Sequence, residues 1–230
     1  MLIISWGLIC LDGVKTLAPT FDTLGFQARA IHDIELVCQL FKVVESIDPP
    51  PPISTVRIGF VTTDLFDSSS TDDMISAWKE AKHLFTAAGV QVSDVDLGPD
   101  FQGLSGVGGR AAFAAKAEIG VSLLADVQNG GDQVSAFTCE PVEELEATSR
   151  NEVVSVLDKF AFLRPRIDSI AKRYDALITP SSPGESDLVG VPADHAYVAM
   201  WTGLHVPMIN LPGLASEGGL PIGMALVGPR

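Results

Sequence analysis

The chain has 230 residues, of which 47% are hydrophobic and 19% are charged. This composition is typical of one globular domain, or at most two small ones, and excludes a disordered chain, whose apolar content is lower. The 15 Lys and Arg residues against 29 Asp and Glu give a net charge of −14, which repels phosphate groups, so we expect no nucleic-acid partner and no binding to anionic lipid.

The first 52 residues predict a strand, a loop and a helix. Residues 2–10 are mostly apolar but too short to cross a bilayer, and they lack the basic start and cleavage site of a secretory signal, so we interpret them as a buried strand. A loop follows over 13–28. Apolar residues at helical spacing then predict a helix over about 29–43. The proline run after Asp48 predicts a stiff surface connector.

Residues 56–97 have the pattern of a βαβ unit. The β-branched run 56–62 predicts a strand, residues 72–88 an amphipathic helix, and residues 90–97 a second strand. The spacing of Ser70 and Asp73 resembles a capping box, and Gly89 lies where a C-cap is expected. The two strands should therefore be parallel, with a right-handed crossover.

The rest of the chain predicts further helices and the closing strands. A Gly-rich loop over 98–110 lacks nucleotide-binding spacing, residues 110–127 predict a helix, and residues 129–147 a loop or an exposed helix. Ser149 begins another helix, which Pro165 should kink or break. The remaining predictions are a short strand over 176–179, a helix over about 193–203, and strands over 206–211 and 221–227.

The titratable residues do not form a recognisable catalytic or metal motif. The four histidines lack zinc-binding spacing, so we expect no metal, and no other cofactor is indicated. Asp194 and His195 are adjacent on a predicted helix, where neighbours do not face each other. There is no G-x-S-x-G run for a hydrolytic serine. Three widely spaced cysteines favour a reducing compartment, and we expect a cytoplasmic protein without a membrane span.

Three stretches, in order, resemble the amidase signature family of Ser–Ser–Lys hydrolases. Residues 13–37 are similar to the family's T-x-D-T-x-G-x-x-A-R segment, residues 57–97 to its β–α–β insert, and residues 174–230 to its closing run. In the closing run, Pro207 and Pro212 have the family's spacing, whereas His205 stands where the family usually has a glycine. Fungal members look most similar.

The resemblance implies an α/β fold with a mixed, largely parallel central sheet flanked by helices, corresponding to the C-terminal half of the family's domain. It also implies hydrolysis of a carboxamide to an acid and an amine or ammonia, with a small-molecule amide as substrate. In the family a serine attacks the carbonyl, and a second serine relays protons to a neutral lysine. We expect residues 1–230 to form one truncated domain of this kind.

The family's two serines and lysine precede the segment that resembles residues 13–37, and no G-G-S-S-G-G-S run occurs in the 230 residues. Neither Lys15 nor the serines at 68–70 and 181–182 match the catalytic positions, so no catalytic residue is assigned. Three interpretations remain open: a shortened amidase, an inactive scaffold that serves as a binding or interaction module or carries new chemistry in the old pocket, or an unrelated α/β domain. If the upstream half of the domain is missing, the sheet should expose apolar faces and an unpaired edge. These surfaces could bind a protein partner or mediate self-association.

If a substrate cleft persists, Thr179, Ser181, Ser182 and Trp201 are the candidates to line it. Thr179 ends a predicted strand, Ser181 and Ser182 follow that strand, and Trp201 lies on the next predicted helix. Open α/β sheets bind their ligands at the carboxyl ends of strands. For Trp201 the alternative is a place in the core. For Asp22 and Arg29 we expect a role in holding the loop over 13–28 rather than contact with substrate.

Overall fold

The structure is a computed structural model and describes residues 1–44, 49–106, 109–191 and 196–230. Asp48, Asp194 and His195 lie outside these ranges. The strands are β1 (Leu2–Ile3), β2 (Gly25–Phe26), β3 (Arg57–Val61), β4 (Gln91–Val95), β5 (Ala176–Pro180), β6 (Met208–Ala215) and β7 (Pro221–Val227). The α-helices are α1 (Ile31–Leu40), α2 (Phe66–Ser69), α3 (Asp72–Ala87), α4 (Arg110–Gly130), α5 (Ala136–Glu143), α6 (Arg150–Ala171) and α7 (Ala196–Gly203).

The described strands form one mixed sheet in the order β2-β1-β6-β7-β5-β3-β4. β3 pairs in parallel with β4 on one side and with β5 on the other, and the remaining pairs are antiparallel. It follows that five of the seven described strands run in the same direction, with β1 and β7 opposed. The expected mixed α/β sheet flanked by helices is thus observed, with parallel pairing confined to the end that carries β3.

Helices cover both faces of the sheet. On one face α4, α6 and α7 pack through a large core that includes Phe160, Leu163, Ile167 and Trp201. On the other face α3 packs through Met74, Ala77 and Ala81, which recur at helical spacing and meet Ile58 and Phe60 of β3.

Some sequence predictions need correction. The strand at the start covers only Leu2–Ile3, and the following residues leave the sheet, with Trp6 and Leu8 exposed. The N-cap of α3 is Thr71, whose side chain accepts a hydrogen bond from the Met74 amide; Ser70 lies one residue too early. α6 continues unbroken through Pro165.

No helix within the described ranges is both long enough and apolar enough to span a bilayer.

The predicted loop over 13–28 contains the short strand β2 (Gly25–Phe26), so the loop ends at Leu24. It is held by its own polar groups and by distant elements. The Asp22 carboxylate accepts hydrogen bonds from the Leu17 and Ala18 amides at 2.7 and 3.1 Å. The Thr20 amide donates to the Glu118 carboxylate of α4 at 2.8 Å, and the Thr20 carbonyl accepts from His205 Nε2 at 2.7 Å. Asp22 therefore has the predicted structural role, whereas Arg29 is exposed.

His205 connects this loop to the turn before β6. Its backbone has φ 64°, in the left-handed region that favours glycine, which explains why the resembled family has a glycine at this position. The ring stacks on Trp6 with centroids 4.6 Å apart. The pKa of His205 is lowered from 6.5 to about 4, mainly by burial and also by the nearby Arg164 and Arg230, against the opposing effect of the Thr20 hydrogen bond.

We expect acid to destabilise the fold through His205. Because its pKa is lower in the folded chain than in the unfolded chain, the unfolded chain binds more protons between pH 6.5 and 4. The free energy of unfolding should therefore fall as the pH drops through this window, by about 3 kcal/mol for this residue. The H205N variant, in which asparagine tolerates the positive φ, should lose this part of the pH dependence. Urea denaturation at several pH values measures it.

H83Q is the control, because His83 is an exposed imidazole on α3. An unchanged pH dependence in H205N, or an equal change in H83Q, would contradict the assignment to His205.

Candidate functional site

The structure separates the four predicted site residues into two pairs. Ser181 and Ser182 directly follow β5 and line an open cleft of about 500 Å³. Thr179, on β5, is only 1% exposed, and Trp201, on α7, is completely buried in the core. Neither Thr179 nor Trp201 lines the cleft. Trp201 instead has the alternative role considered for it above, a place in the hydrophobic core.

The cleft lies at the carboxyl end of β5, between the loop that follows this strand and the neighbouring strands β6 and β7. Its other lining residues come from the start of α3, from the β5–α7 loop and from the β6–β7 hairpin. They are Thr71, Pro183, Gly184, Glu185, Ser186, Asp187, Val191, Asn210, Pro212, Pro221, Ile222 and Gly223.

Three strands meet at Ser181. Its hydroxyl donates to the Gly223 carbonyl of β7 at 2.7 Å, and lies 3.4 Å from Asn210 Oδ1 of β6. A serine hydroxyl has one proton, so the shorter bond takes it and the contact with Asn210 is weak. A Cβ at position 223 would lie 2.7 Å from Asn210 Oδ1 and 2.8 Å from Ser181 Oγ. Glycine at 223 therefore lets these two polar side chains meet.

The next residues are fixed to the start of α3. Ser182 Oγ donates to the Gly184 carbonyl at 2.7 Å. The Thr71 amide donates to the Pro183 carbonyl at 2.9 Å, while the Thr71 hydroxyl caps the helix. Gly184 is buried against Thr71 so closely that a Cβ would overlap the threonine hydroxyl. The loop therefore takes its shape from the same residue that begins α3.

Within the described part of the cleft, neither serine is paired with a base. A serine becomes a strong nucleophile when an adjacent base accepts its proton. Here the Ser181 and Ser182 hydroxyls donate to backbone carbonyls, and the described residues that line the cleft include no lysine or histidine. Glu185 and Asp187 are exposed and contribute negative charge. The cleft offers hydrogen-bond acceptors and, among the described residues that line it, no cationic side chain.

Other cavities are less promising as sites. A cavity of about 550 Å³ between α4 and the start of α6 has mainly apolar walls, including Val121, Leu145 and Val153. A polar hollow of about 190 Å³ contains Asp64 and Asp96, whose carboxylates accept from the Gly103 and Gly98 amides. Within the described ranges, no three metal-binding side chains lie together.

The sequence analysis missed Thr71, Asn210 and Gly223. A signal was available for Gly223, which lies in the part of the chain, residues 174–230, that resembles the family's closing run. Asn210 is the polar residue in the apolar run 206–211. Asn210 lies opposite Ala225, and Pro180 lies opposite Met224, in the antiparallel pairs of β7. No local sequence pattern reveals this register.

Comparison with known families gives one match over nearly the whole chain. The sequence profile of the family described as Amidase matches residues 5–230. A comparison with curated protein sequences gave no match.

Solved structures with the same fold are about twice as long. A structure described as an amidase has a TM-score of 0.80 at 17% identity, over 99% of this chain and 54% of that chain. A fatty acid amide hydrolase has a TM-score of 0.72 at 14% identity, over 100% and 49%. 6-Aminohexanoate cyclic dimer hydrolase, complexed with substrate, has a TM-score of 0.70 at 18% identity, over 99% and 56%. The chain therefore spans about half the length of the structures it matches.

Adding a methyl group at Gly184 should loosen the cleft. In the G184A variant the new Cβ overlaps Thr71, so either the loop or the helix cap must shift. We expect the free energy of unfolding to fall by about 1–3 kcal/mol, as measured by urea denaturation.

G218A is the matched control in the β6–β7 hairpin, because its Cβ would lie 3.6 Å from Ser216 Oγ, an ordinary contact. Its stability should change by less than about 0.5 kcal/mol. Equal stabilities for G184A and G218A would show that the Thr71 contact does not hold the loop.

Proposed function

This chain belongs to the amidase family, and we propose that residues 1–230 supply the downstream half of an amide hydrolase. The reaction is cleavage of the C–N bond of a small-molecule carboxamide to an acid and an amine or ammonia. In this proposal the serines and lysine that cleave the amide are not among residues 1–230. The chain contributes the sheet, its helical layers and part of the wall of the substrate cleft.

The observation that carries this proposal is the coverage of the structural matches. Almost all of this chain superposes on the amidase structure, but it accounts for only 54% of that structure. The family's Gly/Ser-rich serine segment is expected before Gly13, and the 230 residues contain no such run. The hydrogen bonds of Ser181 and Ser182 to carbonyls agree with this division, because neither hydroxyl is placed beside a base.

The cleft beside β5 is the part of the substrate site that we assign to this chain. Ser181, Ser182, Asn210 and Glu185 contribute polar side chains to its lining. Thr179 and Trp201 are buried inside the chain, and in this proposal they do not touch the substrate. Free cysteines at Cys10, Cys38 and Cys139 support a cytoplasmic location within this proposal.

A second candidate function is a binding module that has kept the amidase scaffold without its chemistry. The hydrogen bonds of Ser181 and Ser182 favour it, since a cleft whose serines are already hydrogen-bonded can still bind a polar ligand. The two candidates differ in whether the native protein contains a catalytic segment in addition to residues 1–230.

Purified chain of residues 1–230 should hydrolyse simple aryl and fatty amides no faster than the uncatalysed background. The physical reason is the lack of an activated nucleophile in the described part of the cleft. Release of aryl amine or ammonia, followed over a range of substrate concentrations, measures it.

S181A and S182A are the companion variants, and neither should alter the measured rate. Saturable turnover that a single serine substitution abolishes would refute the proposal that residues 1–230 lack the catalytic serines.

A further inference from the structure

The hydrogen bonds of the cleft beside β5 leave it mainly with acceptors. The Ser181 and Ser182 hydroxyls each donate their one proton to a backbone carbonyl, both at 2.7 Å, so they present lone pairs to a bound molecule. Glu185 and Asp187 add carboxylates to the lining, and an ionised carboxylate accepts hydrogen bonds but donates none. A ligand that supplies several N–H donors is therefore better matched to this cleft than one that supplies further acceptors.

The segments that build the cleft carry negative charge without compensation. Residues 58–78 and 176–227 contain all the described lining residues, and they include eight Asp and Glu and no Lys or Arg. These 73 residues thus hold more than half of the chain's net charge of −14. A concave surface of one charge sign concentrates the electric field and raises the local concentration of oppositely charged molecules. The cleft should therefore attract cations and repel anions.

Carboxylates lie where the loop after β5, the β6–β7 hairpin and the start of α3 meet. Glu185, in the loop, extends towards the hairpin, because its Oε2 would lie 3.8 Å from a Cβ at position 218. The Asp73 carboxylate, at the start of α3, accepts a hydrogen bond from the Glu217 amide of the hairpin at 3.0 Å. Asp187, also in the loop, is exposed and lines the cleft. The negative charge is thus local to the cleft as well as general to the chain.

The cleft also has room and apolar surface for the body of a small molecule. Its volume of about 500 Å³ lies within the usual range of small-molecule sites, about 300–1,000 Å³. Apolar side chains contribute to its wall, and they can contact the hydrocarbon part of a ligand. They are Pro183, Val191, Pro212, Pro221 and Ile222. A molecule with an apolar body and one cationic end matches both kinds of surface.

We infer that this cleft selects an amide substrate whose non-reacting part carries a cationic nitrogen, such as a primary ammonium or a guanidinium group. The inference rests on the proposed function, because it names the substrate class for the cleft assigned there. A cationic nitrogen supplies the N–H donors that the serine lone pairs and the carboxylates accept, and its charge is opposite to theirs. A substrate with a carboxylate in the same place brings like charges together and sets acceptor against acceptor.

Three probes of similar shape test the inference on the purified chain. They are 4-(aminomethyl)benzamide, which is cationic, 4-ethylbenzamide, which is neutral, and 4-carbamoylbenzoic acid, which is anionic. NMR titration at low ionic strength measures their dissociation constants. We expect the cationic probe to bind at least about tenfold more tightly than the neutral probe, and the anionic probe to bind more weakly than both. Salt at about 0.5 M should reduce this preference several-fold, because mobile ions screen exposed charges.

A pair of double variants separates the cleft from the overall charge. E185Q/D187N removes both carboxylates of the lining and keeps the size of the side chains. It should reduce the preference for the cationic probe to less than about threefold, and change the affinity for the neutral probe by less than about twofold. E143Q/E146Q is the matched control, because Glu143 and Glu146 are exposed, lie outside the described lining and change the net charge equally. It should keep the tenfold preference, and circular dichroism checks that both variants fold.

Several results would overturn the inference. These are equal affinities for the three probes, tighter binding of the anionic probe, an equal loss of preference in E143Q/E146Q, or no binding of any probe up to about 10 mM. A native protein containing residues 1–230 that cleaves cationic, neutral and anionic amides with equal kcat/KM would refute the substrate class and leave the proposed function standing. A chain that prefers the cationic probe, in a native protein that cleaves no amide, would refute the proposed function and leave the charge selectivity of the cleft.

Discussion

The structure depends on how the backbone of Thr20 is held. Its amide donates to Glu118 of α4, and its carbonyl accepts from His205 before β6, so one residue joins the N-terminal loop to elements that are 98 and 185 residues away. The Thr23 hydroxyl extends this connection to the Ile4 carbonyl, at 3.0 Å. These bonds fix the loop that precedes β2, the strand at the edge of the sheet. The position of the open edge is therefore set by polar contacts.

The proposed division between framework and chemistry agrees with the way the cleft is built. Ser181 ties the end of β5 to β7, and Ser182 shapes the loop that rests on the start of α3. Both hydroxyls are therefore structural. Such an arrangement preserves a binding surface when the reacting groups come from elsewhere, since the wall of the cleft keeps its shape without them.

The sequence predicted the elements whose patterns are local and strong. The periodicity of Met74, Ile75, Trp78, Ala81 and Phe85 predicted α3, and the apolar β-branched runs predicted β3 and β4. Local rules failed where long-range packing competes with them: the apolar start forms a two-residue strand, and α6 continues through Pro165 because its buried face, including Leu163 and Ile167, is held by the core. In the cleft, Ser181 and Ser182 follow from the end of β5, but Asn210 and Gly223 come from strand register, which no local pattern encodes.

The stack of Trp6 on His205 has an evolutionary consequence. A non-glycine residue with φ 64° is strained, and here the ring contact and the hydrogen bond to Thr20 offset the strain. The two positions therefore constrain each other's substitutions. In relatives with glycine at the equivalent of His205, the aromatic residue at position 6 has no ring to stack on and is free to vary. Paired change at these two sites, 199 residues apart in sequence, should accordingly be visible as covariation in a sufficiently deep alignment.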